Sequence, residues 1–436
     1  MTIGTGKTFR DPIHGNLTIP DPLILDLIDT FEFQRLRRIR QLGSCFLVFH
    51  GAEHSRFQHA LGTMWLMNQV LHRWNEEGLL RLAPEIRKAA LAAALLHDVG
   101  HGPFSHALEH TFVGLDHERL GHAIITGPLA EVLKSHNCNP DDVVALLSNT
   151  YPEPVLCELL SGQLDVDRMD YLQRDSVYTG VKYGLFDSER ILSTLVPLKV
   201  SLHHDDLFTQ TRDGLVLAID PKGILAVEEF LFSRYFMYWQ VYLHRAVRAA
   251  ELMLRLILKR VRELFENDET PWLPPNLNFL FCYSRDHSKN SQDNPSLDFL
   301  ENFLLLDDFD LFHAIKMWRS SQDLVLNDLC KRFLSRRLFK GVDLASQPNL
   351  PGQLKKRAKA KFGENWHYYV HTDPLDSVSY GIYRPGSDRP IRTLVPPGEG
   401  WQEISRATHS TAILGLSHDA LITGGYLFYA RELITG

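Results

Sequence analysis

Apolar side chains at Leu23, Ile24, Leu27, Ile28, Phe31, Leu36 and Ile39 recur at the spacing of one helix face. Pro22 stands near the start, where proline suits a first turn. The same spacing predicts a helix over about 59–75, with Leu61, Trp65, Leu66, Val70 and Leu71 facing inward. Another opens at Pro84, runs through the strong helix formers of ALAAALLHD and stops at Gly100. Further helical patterns cover 140–149, 153–163, 166–174 and 187–195, and one long pattern covers about 222–265. Between them, LKVSL, LFTQT and LVLAI are short β-prone runs broken by HHDD and RDG, which predicts a small meander over 197–220. After about residue 268 the texture changes. TPWLPPNLN and SRDHSKNSQDNPS predict a loop or linker over 269–296. One or two helices over 297–337 and a strand-and-turn stretch (YYVHT, SVSYGIY, IRTLV) follow. The expected fold is mainly α: a helical core over 1–268, a small β-meander inserted in it, and a smaller α+β C-terminal region over 297–436.

Composition narrows the class without changing that outline. With 436 residues, 44% hydrophobic and 23% charged, most of the chain should fold. A net charge of -7 argues against a general nucleic-acid-coating protein, although a locally basic pocket for phosphates fits within it. Five cysteines are scattered with no CxxC pair and read as reduced, buried thiols. The opening MTIGTGKTFRDP has no apolar h-region, and no apolar run approaches the length of a membrane span. The expectation is a soluble cytoplasmic protein with no membrane partner.

Chemistry concentrates in LLHDVGHGPFSHALEH, residues 95–110. His97 and Asp98 end an apolar helix just before a glycine, where two polar groups are costly to bury unless something satisfies them. Imidazole and carboxylate together suit a divalent first-row metal. A lone His-Asp dipeptide is a weak signal, but this one stands beside His101, His106 and His110, with Gly100, Gly102 and Pro103 shaping a tight turn. HSRFQH adds His59 with Arg56 three residues before it. DVDRMDYLQRD adds Asp167, with Asp170 at i+3 and Tyr171 at i+4. Taken alone, Arg56 reads as a surface residue and the Asp167 cluster as a solvated helix face. KKRAKAK reads as solvated surface, and His203-His204-Asp205-Asp206 as a polar hairpin loop.

Six motifs in order carry a resemblance: DPIHG (11–15), FQRLRRIRQLG (33–43), HSRFQHALG (54–62), HDVGHGPFSH (97–106), DHE (116–118) and DVDRMDYLQRD (165–175). The sequence resembles the HD-domain phosphohydrolase superfamily. Within it, the chain is similar to the deoxynucleoside triphosphate triphosphohydrolases, vertebrate and bacterial, over about residues 7–260 and more faintly to 345. The resemblance implies one divalent metal (Fe, Mn, Zn, Ni or Mg) on His59, His97, Asp98 and Asp167, with magnesium accompanying the nucleotide phosphates. It implies His106 as general acid, oriented by His117 and Glu109, with His101 nearby. Glu109 stands where the vertebrate enzyme has Asp. Arg56, Arg168 and Arg234 match phosphate-contacting positions, Arg168 replacing a Lys. Gln41, Asp175 and Tyr242 match the residues that read the sugar, and Tyr171 matches a further pocket residue. Tyr238 replaces a family His.

The resemblance also implies hydrolysis of dNTPs to deoxynucleoside and triphosphate, activated by GTP or dGTP. Lys7, Asp29, Gln34, Arg37 and Arg336 match the activator site, which lies at the interface of a homo-oligomer, tetramer or dimer. Lys222 matches a second nucleotide there, but Asp220 stands where a basic residue is expected. By its residues alone, RLRRIR reads as a solvated amphipathic helix. Two other functions fit: a phosphohydrolase of another nucleotide phosphoester, or a nucleotide-sensing or nucleic-acid-binding regulator on the same fold. The intact ligand set argues against a dead sensor, and the acidic balance makes nucleic acid the poorer partner.

Overall fold

The computed structural model describes residues 6–105, 116–200, 214–287, 295–374, 390–395, 400–408, 410 and 425–434. The chain is mainly α, as its periodicity predicts. It opens with a hairpin of β1 (Thr8–Asp11) and β2 (Gly15–Thr18), in register Thr8↔Thr18. Strands this short leave too little alternation to be read from sequence. α1 (Pro22–Ile28) and α2 (Phe31–Gln34) are capped by Asp21 and Thr30, and the second runs on as a 3₁₀ turn over Arg35–Arg38.

The helical core follows: α3 (Arg56–Glu76), α4 (Pro84–Leu96), α5 (His117–Thr126), α6 (Ala130–Ser135), α7 (Pro140–Leu147), α8 (Pro154–Ser161), α9 (Val166–Thr179) and α10 (Ser188–Thr194). α9 begins at an Asp165 cap and ends where Gly180 takes φ 77°. α3 lies between α4 and α9, so residues on its two flanks meet residues from both neighbours.

The structure refines the expected elements at several points. The meander is β3 (Leu195–Val200) paired antiparallel with β4 (Gly214–Ile219), and LFTQT lies outside the described residues. The pattern over 222–265 is two helices, α11 (Ile224–Met237) and α12 (Arg245–Glu266), separated by a π-turn over Tyr238–Tyr242. Both halves are apolar, so periodicity runs through a break that only backbone geometry reveals. The segment expected to be loop or linker contains α13 (Pro275–His287), with Pro275 in its first turn, where proline is tolerated.

The 297–337 stretch is three helices rather than one or two: α14 (Leu297–Leu304), α15 (Asp308–Trp318) and α16 (Leu324–Leu334). β5 (Lys340–Asp343), α17 (Leu350–Phe362), β6 (Val370–Pro374), β7 (Arg392–Leu394), β8 (Trp401–Glu403), α18 (Ile404–Ala407) and β9 (Gly425–Tyr429) complete the order. β9 is central in a sheet ordered β5-β9-β6, while β7 joins β4 in parallel to give β3-β4-β7-β8. Arg392 of β7 is buried and pairs with Glu158 of α8 at 2.9 Å, which ties that sheet to the helical core.

RLRRIR is only partly solvated, with Arg37 exposed and Arg35 buried. Arg35 Nε donates to the Leu306 carbonyl at 3.0 Å, Arg38 Nε to Asp307 at 2.5 Å, and Arg40 Nη1 to Asp308 at 3.2 Å. Three arginines of the segment thus dock on three successive residues at the start of α15. Among the described residues no helix is long and apolar enough to cross a membrane.

The α3–α9 contact is close because of Gly62. A Cβ there would lie 1.8 Å from Asp170 Oδ1 and 2.6 Å from Arg174 Nη2, both on buried, fixed side chains. Gly62→Ala should therefore cost about 2 kcal/mol. Gly352→Ala, in open space on α17, should be neutral or stabilise by about 0.5 kcal/mol. Urea denaturation of the two variants checks this, and equal midpoints would overturn the packing argument.

Candidate metal centre and nucleotide pocket

α3 and α4 each deliver one histidine to the same point. His59 Nε2 and His97 Nε2 lie 3.1 Å apart. His59, His97 and Asp98 offer ligand atoms that all lie within 4.8 Å of one another. From α9, Asp167 Oδ1 lies 2.9 Å from His59 Nε2 and 3.6 Å from His97 Nε2.

The other ring nitrogens fix what these atoms are. His59 Nδ1 donates to Asp170 Oδ2 at 2.7 Å, and His97 Nδ1 donates to the Ala94 carbonyl at 2.9 Å. With both Nδ1 atoms acting as donors, the Nε2 lone pairs converge with two carboxylates on one spot. A set of acceptors facing one another requires a cation among them. The residues therefore fit a divalent metal. Positive charge is favoured at this spot even as protons: burial opposes charging His59, yet Asp167 and Asp170 raise it to about 10. Burial likewise disfavours the Asp98 anion, but Arg56, His97 and His101 hold it well below the usual carboxylate range.

Supports surround the shell. Asp170, fully buried, takes His59 on one oxygen and His14 Nε2 on the other at 2.7 Å. Arg174 donates to both oxygens of Asp170 at 2.8 Å and to Asp11 at 2.9 Å, so the N-terminal hairpin is clamped beneath the centre. Arg56 is buried; its Nη1 donates to Asp98 Oδ2 at 2.6 Å and its Nη2 to Ser105 Oγ at 2.8 Å. His101 Nε2 lies 3.3 Å from Asp98 Oδ1, and its ring stacks on His117 with centroids 4.0 Å apart. Burial, then Arg56, holds His101 neutral. His106 and Glu109 lie outside the described residues.

A second group abuts the first. The Tyr171 ring lies 6.3 Å from His59 and 6.2 Å from Tyr242. Tyr242 donates to Asp175 Oδ2 at 2.7 Å, and His54 Nε2 contacts Asp175 Oδ1 at 2.7 Å. The π-turn places Tyr242 for this contact. Gln41 is joined to the group through its N–H, which donates to the His54 carbonyl at 3.0 Å, while its buried side-chain oxygen has no partner among the described residues. Tyr238 is buried on the same turn. Arg168 bonds Asp165 and, at 2.5 Å, the Gly162 carbonyl; Arg234 donates to Gln163 Oε1 at 2.9 Å. Burial and then the neighbouring Arg168 lower Arg234 to about 10, as expected of two cations set close together.

Among the residues matched to an activator, Arg37 Nε donates to Gln34 Oε1 at 2.8 Å and its guanidinium lies 3.5 Å over the Phe57 ring. Lys7, Asp29 and Arg336 are exposed, Arg336 donating to the Leu47 carbonyl. Lys222 and Asp220 are joined by a cap, the Asp220 side chain accepting from the Lys222 N–H at 2.9 Å. Sequence reasoning missed the roles of Asp11, His14, His54, Ser105 and Arg174. Asp170 had a visible signal, since i+3 from Asp167 puts it on the same helix face.

Comparisons with known proteins agree with this geometry. The HD domain model matches residues 56–175, and the HD associated region model matches 207–271. The chain is 37% identical to the protein YwfO of Bacillus subtilis over 98% of this chain and 93% of that one. It is 30% identical to human SAMHD1, a deoxynucleoside triphosphate triphosphohydrolase, over 44% of this chain and 36% of that protein. A crystal structure of a phosphohydrolase from Bacteroides thetaiotaomicron superposes with TM-score 0.82 at 33% identity, covering 98% of this chain and 100% of that one.

Divalent ions should stabilise the fold by mass action. Mn²⁺ at a hundred times its Kd should add about 2.7 kcal/mol. Thermal melts with and without Mn²⁺ or chelator should show this shift in the native chain and lose it in Asp167→Ala. A native melting curve indifferent to Mn²⁺, Fe²⁺, Co²⁺, Ni²⁺ and Zn²⁺ alike would remove the metal centre.

Proposed function

This chain belongs to the HD-domain phosphohydrolases, and on that premise we propose that it hydrolyses deoxynucleoside triphosphates to deoxynucleoside and triphosphate. One observation carries the substrate class. The Asp175 carboxylate, held by Tyr242 and His54, stands one tyrosine away from the metal ligand His59. A sugar bound there would present its 5′-phosphate towards the metal ligands. Gln41, with a buried oxygen that has no partner among the described residues, supplies the acceptor that a 3′-hydroxyl needs.

His59, His97, Asp98 and Asp167 would hold the metal, which when bound supplies Lewis acidity towards the α-phosphate. The chain's own residues do the rest. Arg168 and Arg234 take the outer phosphates, their mutual repulsion relieved by the anion between them. Tyr171 and Tyr242 pack beneath the sugar and leave little room for a 2′-hydroxyl, which favours deoxynucleotides. His106, oriented by His117 and Glu109, protonates the leaving 5′-oxygen of the deoxynucleoside. The further reading is that a guanine nucleotide at Lys7, Asp29, Gln34, Arg37 and Arg336 activates a homo-oligomer.

Each dNTP, incubated with metal-loaded protein alone and with GTP or dGTP, should yield deoxynucleoside and inorganic tripolyphosphate by ion-exchange chromatography. Asp98→Ala and Asp167→Ala should lose at least about a thousandfold in rate, on the order of 4 kcal/mol. Release of pyrophosphate or monophosphate instead would sink the proposed bond cleavage, and no turnover of any dNTP would sink the substrate.

A further inference from the structure

Asp308, the first residue of α15, is fully buried, and the capping hydrogen bonds of its helix are made by other residues. The capping there belongs to its neighbours: Asp307 Oδ1 accepts from the Phe309 N–H at 2.9 Å, and Asp310 accepts from the Asp307 N–H at 2.9 Å. The Asp308 carboxylate points elsewhere. Its Oδ1 accepts from the Phe104 N–H at 2.7 Å, and its Oδ2 accepts from the Arg40 N–H at 3.1 Å and from Arg40 Nη1 at 3.2 Å.

Phe104 and Ser105 are two successive non-glycine residues at φ 52° and 57°. L side chains adopt that conformation only where something outside the turn holds it. Here the turn presents Ser105 Oγ, which accepts from Arg56 Nη2 at 2.8 Å and lies 3.2 Å from the Arg40 carbonyl. Arg56 Nη1 in turn donates to Asp98 at 2.6 Å. Asp308 therefore grips both segments between which Ser105 is held, one directly at Phe104 and the other at Arg40.

We propose that Asp308 is a positioning residue for the metal centre: by fixing the Phe104–Ser105 turn against Arg40 it aims Arg56 at Asp98. The C-terminal helical region, through α15, thereby sets the orientation of one metal-shell carboxylate. The proposal rests on reading His59, His97, Asp98 and Asp167 as metal ligands, and is independent of which phosphoester is cleaved.

Co²⁺ titration of the full chain, followed by its visible absorption, tests this without turnover. Asp308→Asn keeps the size of the side chain but leaves one acceptor oxygen for three donors. It should raise the Co²⁺ Kd about tenfold and alter the visible bands. Ser105→Ala, which leaves α15 untouched, should do the same, and the double variant should be no worse than the poorer single one. Asp323, the cap residue of the neighbouring α16, pairs with Arg260 of α12, and Asp323→Asn breaks that ion pair. It should lower the melting temperature and leave the Co²⁺ Kd within about twofold, well short of the effect on supports of a metal shell. Native-like Co²⁺ binding in Asp308→Asn, or equal weakening in Asp323→Asn, overturns the proposal. Absence of Co²⁺ binding in the native chain overturns the ligand reading and this one with it, whereas failure to cleave dNTPs touches only the substrate.

Discussion

The buried carboxylate of Asp170 is the constraint on which the rest of this structure depends. An unpaired anion at such depth costs several kcal/mol, so it persists only with its oxygens fully used. Three groups use them through four bonds: His59 and His14 by one each, and Arg174 by two. Arg174, itself wholly buried, then needs a second anion and finds Asp11 in the N-terminal hairpin. The demand for charge balance thus spreads from one helix to the hairpin, and it leaves His59 with its lone pair aimed at the metal position. Gly62 is the steric counterpart, because any larger residue would displace this pair. Packing and electrostatics here impose a single arrangement.

A similar economy governs the turn after the ligand pair. A Cβ on Gly100 would lie 2.0 Å from the His117 carbonyl and 2.4 Å from the Gly121 N–H. The glycine of HDVGH therefore lets α5 cross close to the metal shell. That crossing is what stacks His117 on His101, a contact of two histidines far apart in the chain. Burial and the nearby Arg56 hold this stacked His101 uncharged beside Asp98.

Much of this was legible in the chain, and the rest was not for identifiable reasons. α3 and α4 carry a clear apolar stripe, α4 opens at a proline and α9 at an Asp165 cap, so these helices and the His97-Asp98 pair could be read directly, while His59 and Asp167 joined that pair through the resemblance. Tyr242 could be named, but not the π-turn that aims it, since an apolar stripe continues across the break. RLRRIR looked solvated because its partners lie about 270 residues away at Leu306, Asp307 and Asp308. The β3-β4-β7-β8 sheet was hidden for the same reason, half of it arriving from the far end of the chain. Local patterns encode local structure, and long-range docking of charged groups has no periodicity to betray it.

That docking has a consequence for how the molecule is made. While the chain emerges from the ribosome, residues 33–105 are available long before α15, so Arg35, Arg38 and Arg40 stay hydrated and the Phe104–Ser105 turn has no outside anchor. Joining segments this distant requires closing a very long loop, which is slow relative to forming the local helices. The helical core can collapse early, but the metal position acquires its final shape only when the last third of the protein folds onto it. Emergence of α15 is in this sense a prerequisite for the finished site.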